Sequence, residues 1–256
     1  MAKILFWNVK RWGDGSDTDR HKFREKYVQY LIEQHQPDIF LFCEITSSLT
    51  LKSDNVELEK IGAVVKRDPK LRGAQLGYGA LYLNDDLLND DGHIVYEIPH
   101  LLDKFSLSNH PAIKTSSQFD LISKRKVIQI TDYGGVKLFL YHANASSRAS
   151  DLVAWISYSL FRDKHIKNFV LIGDFNCEPA TLKGKINELI PSIDHKISIR
   201  NGKYKTHSDG GIYDYVVYSG CDNLSLNGIY DQWEFQNDLN GRKYNISDHV
   251  PILVKY

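Results

Sequence analysis

Cysteine is scarce in this sequence, and the placement of the few residues excludes two architectures. Cys43, Cys177 and Cys221 are odd in number, far apart and free of any Cys-x-x-Cys pair. Neither a disulfide framework nor a thiolate zinc site fits that pattern, so free thiols and a cytoplasmic location are expected. Long apolar runs are also missing. No stretch approaches the ~20 residues of a membrane span, and the N-terminal Met1 to Asn8 is too short in apolar length to read as a signal peptide. Net charge is absent, with 32 basic residues against 32 acidic ones. No global field therefore advertises nucleic acid or anionic membrane, and an anionic partner would need a local groove. Lys66-Arg67 with Lys70 and Arg72, and Lys124-Arg125-Lys126, are candidates, although such clusters are more often solvated faces. Three catalytic signatures are lacking as well: Gly-x-Ser-x-Gly, the Gly-x4-Gly-Lys phosphate loop and His-Glu-x-x-His. The lone Gly77-Tyr78-Gly79 is too weak to suggest a dinucleotide.

The remaining composition is that of an ordinary globular chain, 42% hydrophobic and 25% charged. One domain spanning residues 1–256 is expected. Residues 4–9 and 39–43 read as buried strands. Between them Phe23, Tyr27, Tyr30 and Leu31 recur at helical spacing, and Pro37 closes that helix. Residues 47–63 are ambiguous, 78–83 form another strand, and 89–118 read as loops with short strands. Residues 126–131 and 137–141 flank Asp132-Tyr133-Gly134-Gly135, a hairpin pattern. Ser150 or Asp151 would cap a helix with Leu152, Trp155, Ile156, Leu160 and Phe161 on its inner face. The central strand Phe169-Val170-Leu171-Ile172 breaks into Gly173-Asp174-Phe175-Asn176. A short helix near 182–189 and strands at 213–218 and 251–254 complete the chain. Strands apolar on both faces need cover on both sides. The expected fold is therefore α/β: two packed, mainly antiparallel sheets with helices outside.

The polar residues at the strand ends carry the chemistry. Four apolar runs stop on Asn8, on Glu44, on His142 with Asn144, and on Asp174 with Asn176. Two more are entered through polar residues, Asp214 and Ser247-Asp248-His249. If the first four strands run one way and the last two the other, all these side chains collect at one rim. So many carboxylates in one place repel one another and demand a cation. Oxygen donors from Asn8, Glu44, Asp174, Asn176 and Asp248 suit Mg²⁺ or Mn²⁺ better than Zn²⁺. Singly, each residue has a bland explanation: a turn amide at Asn8, a helix-start carboxylate at Glu44, a satisfied buried histidine at His142. At matching ends of successive strands those explanations become improbable together.

Phe6-Trp7-Asn8, Phe42-Cys43-Glu44, His142-Ala143-Asn144, Gly173-Asp174-Phe175-Asn176, Tyr213-Asp214-Tyr215 and Ser247-Asp248-His249-Val250-Pro251 resemble, in order, the motifs of the endonuclease/exonuclease/phosphatase superfamily. Within it, Tyr141-His142 and Glu178-Pro179 are most similar to the branch of deoxyribonuclease I and the nuclease subunit of cytolethal distending toxin. The resemblance implies a four-layer α/β sandwich and metal-dependent cleavage of a phosphoester, with Mg²⁺ or Mn²⁺ held by Asn8, Glu44 and Asp248. It implies Asp174 as the group that orients or deprotonates water and Asn176 as a phosphate contact. His249 paired with Asp214, together with His142, would exchange protons or bind phosphoryl oxygens. Asn144, Arg148 and Thr206 are assigned to substrate binding, Arg148 being as readily an exposed helix-entry arginine. In deoxyribonuclease I the matching histidine has an acidic partner, yet the strand at Tyr78 to Tyr82 contains no carboxylate. The expected function is a monomeric DNA endonuclease. The alternatives are a phosphatase or phosphodiesterase of small or lipid phosphates and a binding module without catalysis.

Overall fold

The computed structural model describes residues 1–12, 18–45, 77–87, 93–98, 125–189, 196–230 and 247–256. The basic cluster at 66–72, Lys124, the ambiguous stretch 47–63 and most of 89–118 lie outside those residues. In chain order the elements are β1 (Lys3–Trp12), α1 (Thr18–His35), β2 (Ile39–Ile45), β3 (Gly77–Tyr82), a 3₁₀ turn (Asp85–Leu87), β4 (Ile94–Glu97), β5 (Lys126–Tyr133) and β6 (Val136–Leu140). Then come α2 (Ala149–Arg162), β7 (Asn168–Asp174), α3 (Pro179–Leu189), β8 (Ser198–Arg200), β9 (Asp214–Ser219), β10 (Ser225–Gly228) and β11 (Ile252–Lys255).

Alternation along β1 shows how the layers stack. Ile4 and Phe6 belong to one core with residues of both sheets, whereas Leu5, Trp7 and Val9 belong to a second core with Tyr27, Val28 and Leu31 of α1. Successive side chains of a strand point to opposite faces, so β1 is covered on both sides. The second sheet is covered likewise: Leu152, Val153, Ile156 and Leu160 of α2 and Leu182 and Ile186 of α3 join Val170, Leu171 and Ile172 of β7 in the first core. The layers are therefore helix, sheet, sheet, helix.

One sheet has the strand order β10-β11-β1-β2-β3, the other β4-β5-β6-β7-β9-β8. Each holds one parallel pair, β1 with β2 and β6 with β7, and the other pairings are antiparallel. The strand directions assumed from the sequence thus hold within each sheet. The β5–β6 hairpin closes on Gly134 and Gly135 at φ 60° and 77°, the two positive values that a type I′ turn requires.

The helix cap differs from expectation. α2 begins at Ala149, with Arg148 at the N-cap and no side-chain capping bond. Leu152 N–H already bonds the Arg148 carbonyl at 3.1 Å, so Ser150 lies inside the first turn, where it is buried.

Candidate active site

The site begins with local backbone departures. β2 runs through Glu44 rather than ending on it, and its register with β3 shifts between Cys43 and Ile45. Glu44 sits at φ 65°, Lys10 at φ 46° in the corresponding irregularity of β1, and Asn176 at φ 49° just past β7. Positive φ at a residue with a side chain costs about 1–3 kcal/mol and persists only where the surroundings enforce it. Three such residues meet at one rim.

Antiparallel pairing sets Asp174 directly opposite Asp214. β1 and β2 bring Asn8 alongside Cys43. Asn8 then joins the two sheets: its Nδ2 donates to Asp174 Oδ2 at 2.9 Å and to Glu44 Oε1 at 3.3 Å. His249 Nδ1 lies 2.8 Å from Asp214 Oδ2, and its Nε2 faces Asp174 Oδ2 at 3.7 Å. The loop before β11 is fastened to β1, since Ser247 Oγ donates to the Asn8 carbonyl at 2.6 Å and Trp7 Nε1 to the His249 carbonyl at 3.0 Å.

His142 follows β6, its backbone N–H bonded to the Tyr78 hydroxyl at 3.1 Å. The acidic neighbours of its ring come from elsewhere than the Tyr78 strand: Nε2 is 3.5 Å from Asp174 Oδ2 and 3.6 Å from Glu44 Oε1. Arg125 donates to the carbonyls of His142 and Ala143 at 3.0 and 2.8 Å, and Asn176 Nδ2 donates to the Ala143 carbonyl at 2.9 Å. Asn176 N–H closes a turn on Asp174 Oδ1 at 3.0 Å.

The structure therefore gathers Asn8, Glu44, His142, Asp174, Asn176, Asp214 and His249. Asp248 lies at the edge of the same cavity, paired with Lys10 Nζ at 2.7 Å and 3.5 Å from His207 Nε2. Thr206 departs from its expected role. It is fully buried, and its Oγ1 accepts the backbone N–H groups of Tyr213 and Asp214 at 2.9 and 3.0 Å. Its side chain fixes the start of β9 rather than meeting a substrate. Asn144 and Arg148 are half-buried on the loop leading into α2.

Burial governs the titration of the cluster. It raises Asp174 to about 7, helped by the Asp214 carboxylate and opposed by His249. Burial also lowers His142 well below the usual imidazole range, with Arg125 and His249 acting the same way. At His249 burial again favours the neutral ring, but the Asp214 carboxylate outweighs it and holds the imidazolium up to about 10. One histidine is thus held neutral and the other charged near pH 7, the separation that acid and base roles need.

Glu44, His142, Asp174, Asn176, Asp248 and His249 line a cavity of about 520 Å³. Its other walls include Lys10, Arg20, His21, Arg24, Arg125 and His207, which the strand-end pattern does not single out. For α1 a signal existed. The buried stripe Tyr27, Val28 and Leu31 continues backwards at helical spacing onto Arg24 and Arg20, where apolar residues would be expected.

No family model matches the sequence, and no curated protein matches it. Solved structures do match along nearly the whole chain. Cytolethal distending toxin of Actinobacillus actinomycetemcomitans aligns at 14% identity with a TM-score of 0.62, over 99% of this chain and 97% of that one. The fold is that of the endonuclease/exonuclease/phosphatase superfamily. TDP2 of D. rerio, solved with a single-strand DNA product, aligns at 13% identity with a TM-score of 0.61, over 99% and 97% of the two chains. A mannosyl-6-phosphatase of Bacteroides thetaiotaomicron aligns at 15% and 0.60, over 100% and 99%.

Proposed function

We propose that this chain is a divalent-metal-dependent phosphodiesterase that hydrolyses nucleic-acid phosphodiester bonds, acting on DNA as an endonuclease. The observation that carries the reading is the meeting of Asp174, His249, His142 and Glu44 in one cavity with basic walls, with Asn8 and Asp214 hydrogen-bonded to them from behind. The donors fit a hard cation. Glu44, Asp174 and Asp248 offer carboxylate oxygens to that cavity, and burial disfavours the ionised form of Asp174, with Asp214 adding to it, so that a cation there would offset the cost of its charge. Glu44, with Asn8 and Asp248, would hold Mg²⁺ or Mn²⁺, which supplies Lewis-acid polarisation of a phosphoryl oxygen when bound.

The chain's own groups divide the remaining work. Asp174 accepts a hydrogen bond from the attacking water and orients it towards phosphorus. His249, charged and held by Asp214, donates from Nε2 to an oxygen that gains charge in the pentavalent state. His142, neutral, offers a second imidazole contact beside the same Asp174 oxygen. Asn176 and Arg125 brace the His142 loop, and Asn144 and Arg148, half-buried farther along that loop, would contact a longer substrate. The TDP2 structure with a DNA product supports the nucleic-acid reading, and the mannosyl-6-phosphatase supports a second one, hydrolysis of a small phosphate ester.

Supercoiled plasmid, single-stranded DNA, RNA and a panel of sugar phosphates, each with Mg²⁺, Mn²⁺ or EDTA, separate the two. Nicking of plasmid that EDTA abolishes is expected. Plasmid left intact beside rapid phosphate release from a sugar phosphate would replace the first reading with the second.

A further inference from the structure

The chain between β8 and β9 contains Thr206-His207-Ser208-Asp209-Gly210-Gly211, a run of turn-forming residues around one histidine. It folds tightly onto itself. The N–H groups of Thr206 and His207 both donate to the Gly211 carbonyl, at 3.0 and 3.1 Å, and Gly210 N–H donates to the His207 carbonyl at 3.0 Å. Gly210 takes φ 102°, and a Cβ on Gly211 would fall 2.3 Å from the Tyr213 ring, so both positions call for glycine. Asp209 ties the rest together. Its Oδ1 accepts the Gly211 N–H at 2.9 Å and lies 2.8 Å from His207 Nδ1, and its Oδ2 accepts the Tyr213 hydroxyl at 3.1 Å.

The loop is also paired to the segment that carries His249. Ser208 N–H donates to the Asp248 carbonyl at 2.9 Å and Val250 N–H to the Thr206 carbonyl at 2.8 Å, so His207 and His249 are opposed residues of an antiparallel bridge. Opposed residues place their side chains on one face, and the two rings meet edge to face with centroids 4.5 Å apart. Each ring has a carboxylate 2.8 Å from its Nδ1, Asp209 for His207 and Asp214 for His249. A partner on one ring nitrogen sets what the other can offer, and both rings line the cavity. Their Nε2 atoms face different carboxylates. His249 and His142 both meet Asp174 Oδ2, at 3.7 and 3.5 Å, whereas His207 meets Asp248 Oδ2 at 3.5 Å. In an in-line displacement the entering and departing oxygens lie on opposite sides of phosphorus. His142 and His249 share Asp174 with the attacking water, which leaves His207 as the imidazole placed for the oxygen that departs.

We infer that His207, oriented by Asp209, is a further catalytic residue, which donates a hydrogen bond from Nε2 to the leaving-group oxygen as the bond from that oxygen to phosphorus breaks. The inference rests on the phosphodiesterase reading above and assigns a residue to the departing side of the reaction. A sugar alkoxide is a poor leaving group, and a donor fixed where its charge develops stabilises the transition state more than the ground state. The hydrolysis balances: the water oxygen bonds to phosphorus, the bond to the leaving oxygen breaks, and the proton the water gives up is matched by the one the departing alcohol gains. Asp209 acts through His207 as a positioning residue.

Two substrates with unlike leaving groups test this in Mg²⁺. A single-stranded oligonucleotide expels a sugar hydroxyl, which needs a donor. Bis(p-nitrophenyl) phosphate expels nitrophenolate, whose charge its own ring stabilises. His207→Gln should lower kcat on the oligonucleotide about a hundredfold, the low end of what a positioned imidazole contributes, and leave kcat on the aryl ester close to wild type. The retained aryl-ester activity shows at the same time that the variant folds. Asp209→Ala should give the same selective loss in milder form. Equal losses on the two substrates would assign His207 to the loop or the scissile phosphate and overturn the inference. An oligonucleotide rate that His207→Gln leaves unchanged overturns the inference alone, because the wild type still cuts. Wild type that acts only on sugar phosphates replaces the substrate of the proposed function. The comparison is then made between a sugar phosphate and p-nitrophenyl phosphate, with the same expected and overturning results. Wild type that hydrolyses no phosphate ester overturns the proposed function and this inference together.

Discussion

His249→Ala should lower kcat on plasmid DNA by about a thousandfold, within the range that a positioned proton-transfer group contributes. Asp214→Asn comes close to the same loss. The reasoning starts from the 2.8 Å contact between His249 Nδ1 and Asp214 Oδ2 in a nearly dry setting. With Asp214 in place the ring stays protonated and presents Nε2 towards the cavity; with asparagine there, burial is opposed only by the smaller pull of Asp174 and Asp248, and the balance moves towards the neutral form. Because the two residues act as one unit, the double variant should be little worse than either single one. Initial rates of nicking for the three variants check this. Losses that multiply in the double variant would mean that Asp214 and His249 act separately.

Asp174→Asn should cost a comparable factor in kcat while removing a pH dependence from folding. Asp174 is 1% exposed, faces Asp214 across the strands, and binds its proton more tightly folded than unfolded, with its value raised from 3.8 to about 7. A group raised in this way stabilises the fold fully below the unfolded value, and that contribution is lost as pH climbs through the folded one. In EDTA the melting temperature of the wild type should therefore decline between about pH 4 and pH 7. Asp174→Asn, which cannot ionise, should lack that decline. The pairing of lost activity with a flatter stability profile marks a carboxylate kept buried for chemistry rather than for folding. Parallel melting curves for the two proteins across that window would contradict it.

The site was legible in the sequence because strand ends are. An apolar run that stops on Asn8, Glu44, His142 or Asp174 places a polar group where the sheet meets its rim. The parallel pairs β1–β2 and β6–β7, with β11 and β9 running against them, bring those ends together. Other features left no such trace. Thr206 is a hydroxyl that a loop uses internally, and residue type cannot distinguish that from a phosphate contact. His207 stands in a loop and reaches the cavity through an isolated bridge to His249. The strands β8 and β10 are three and four residues long, too short for alternation to register. The bulges at Lys10 and Glu44 depend on register between strands, which composition does not encode. Arg20 and Arg24 were readable in principle, as charges standing where the α1 stripe calls for apolar side chains.

The central claim is that groups from both sheets share one divalent ion beside the reacting phosphate. Anomalous diffraction from crystals soaked in Mn²⁺ measures this directly. The account predicts a peak against the carboxylate of Glu44, on the side of the cavity shared with Asn8 and Asp174, and its loss in Glu44→Gln. A peak confined to His207 and Asp248, with none at Glu44, would contradict it.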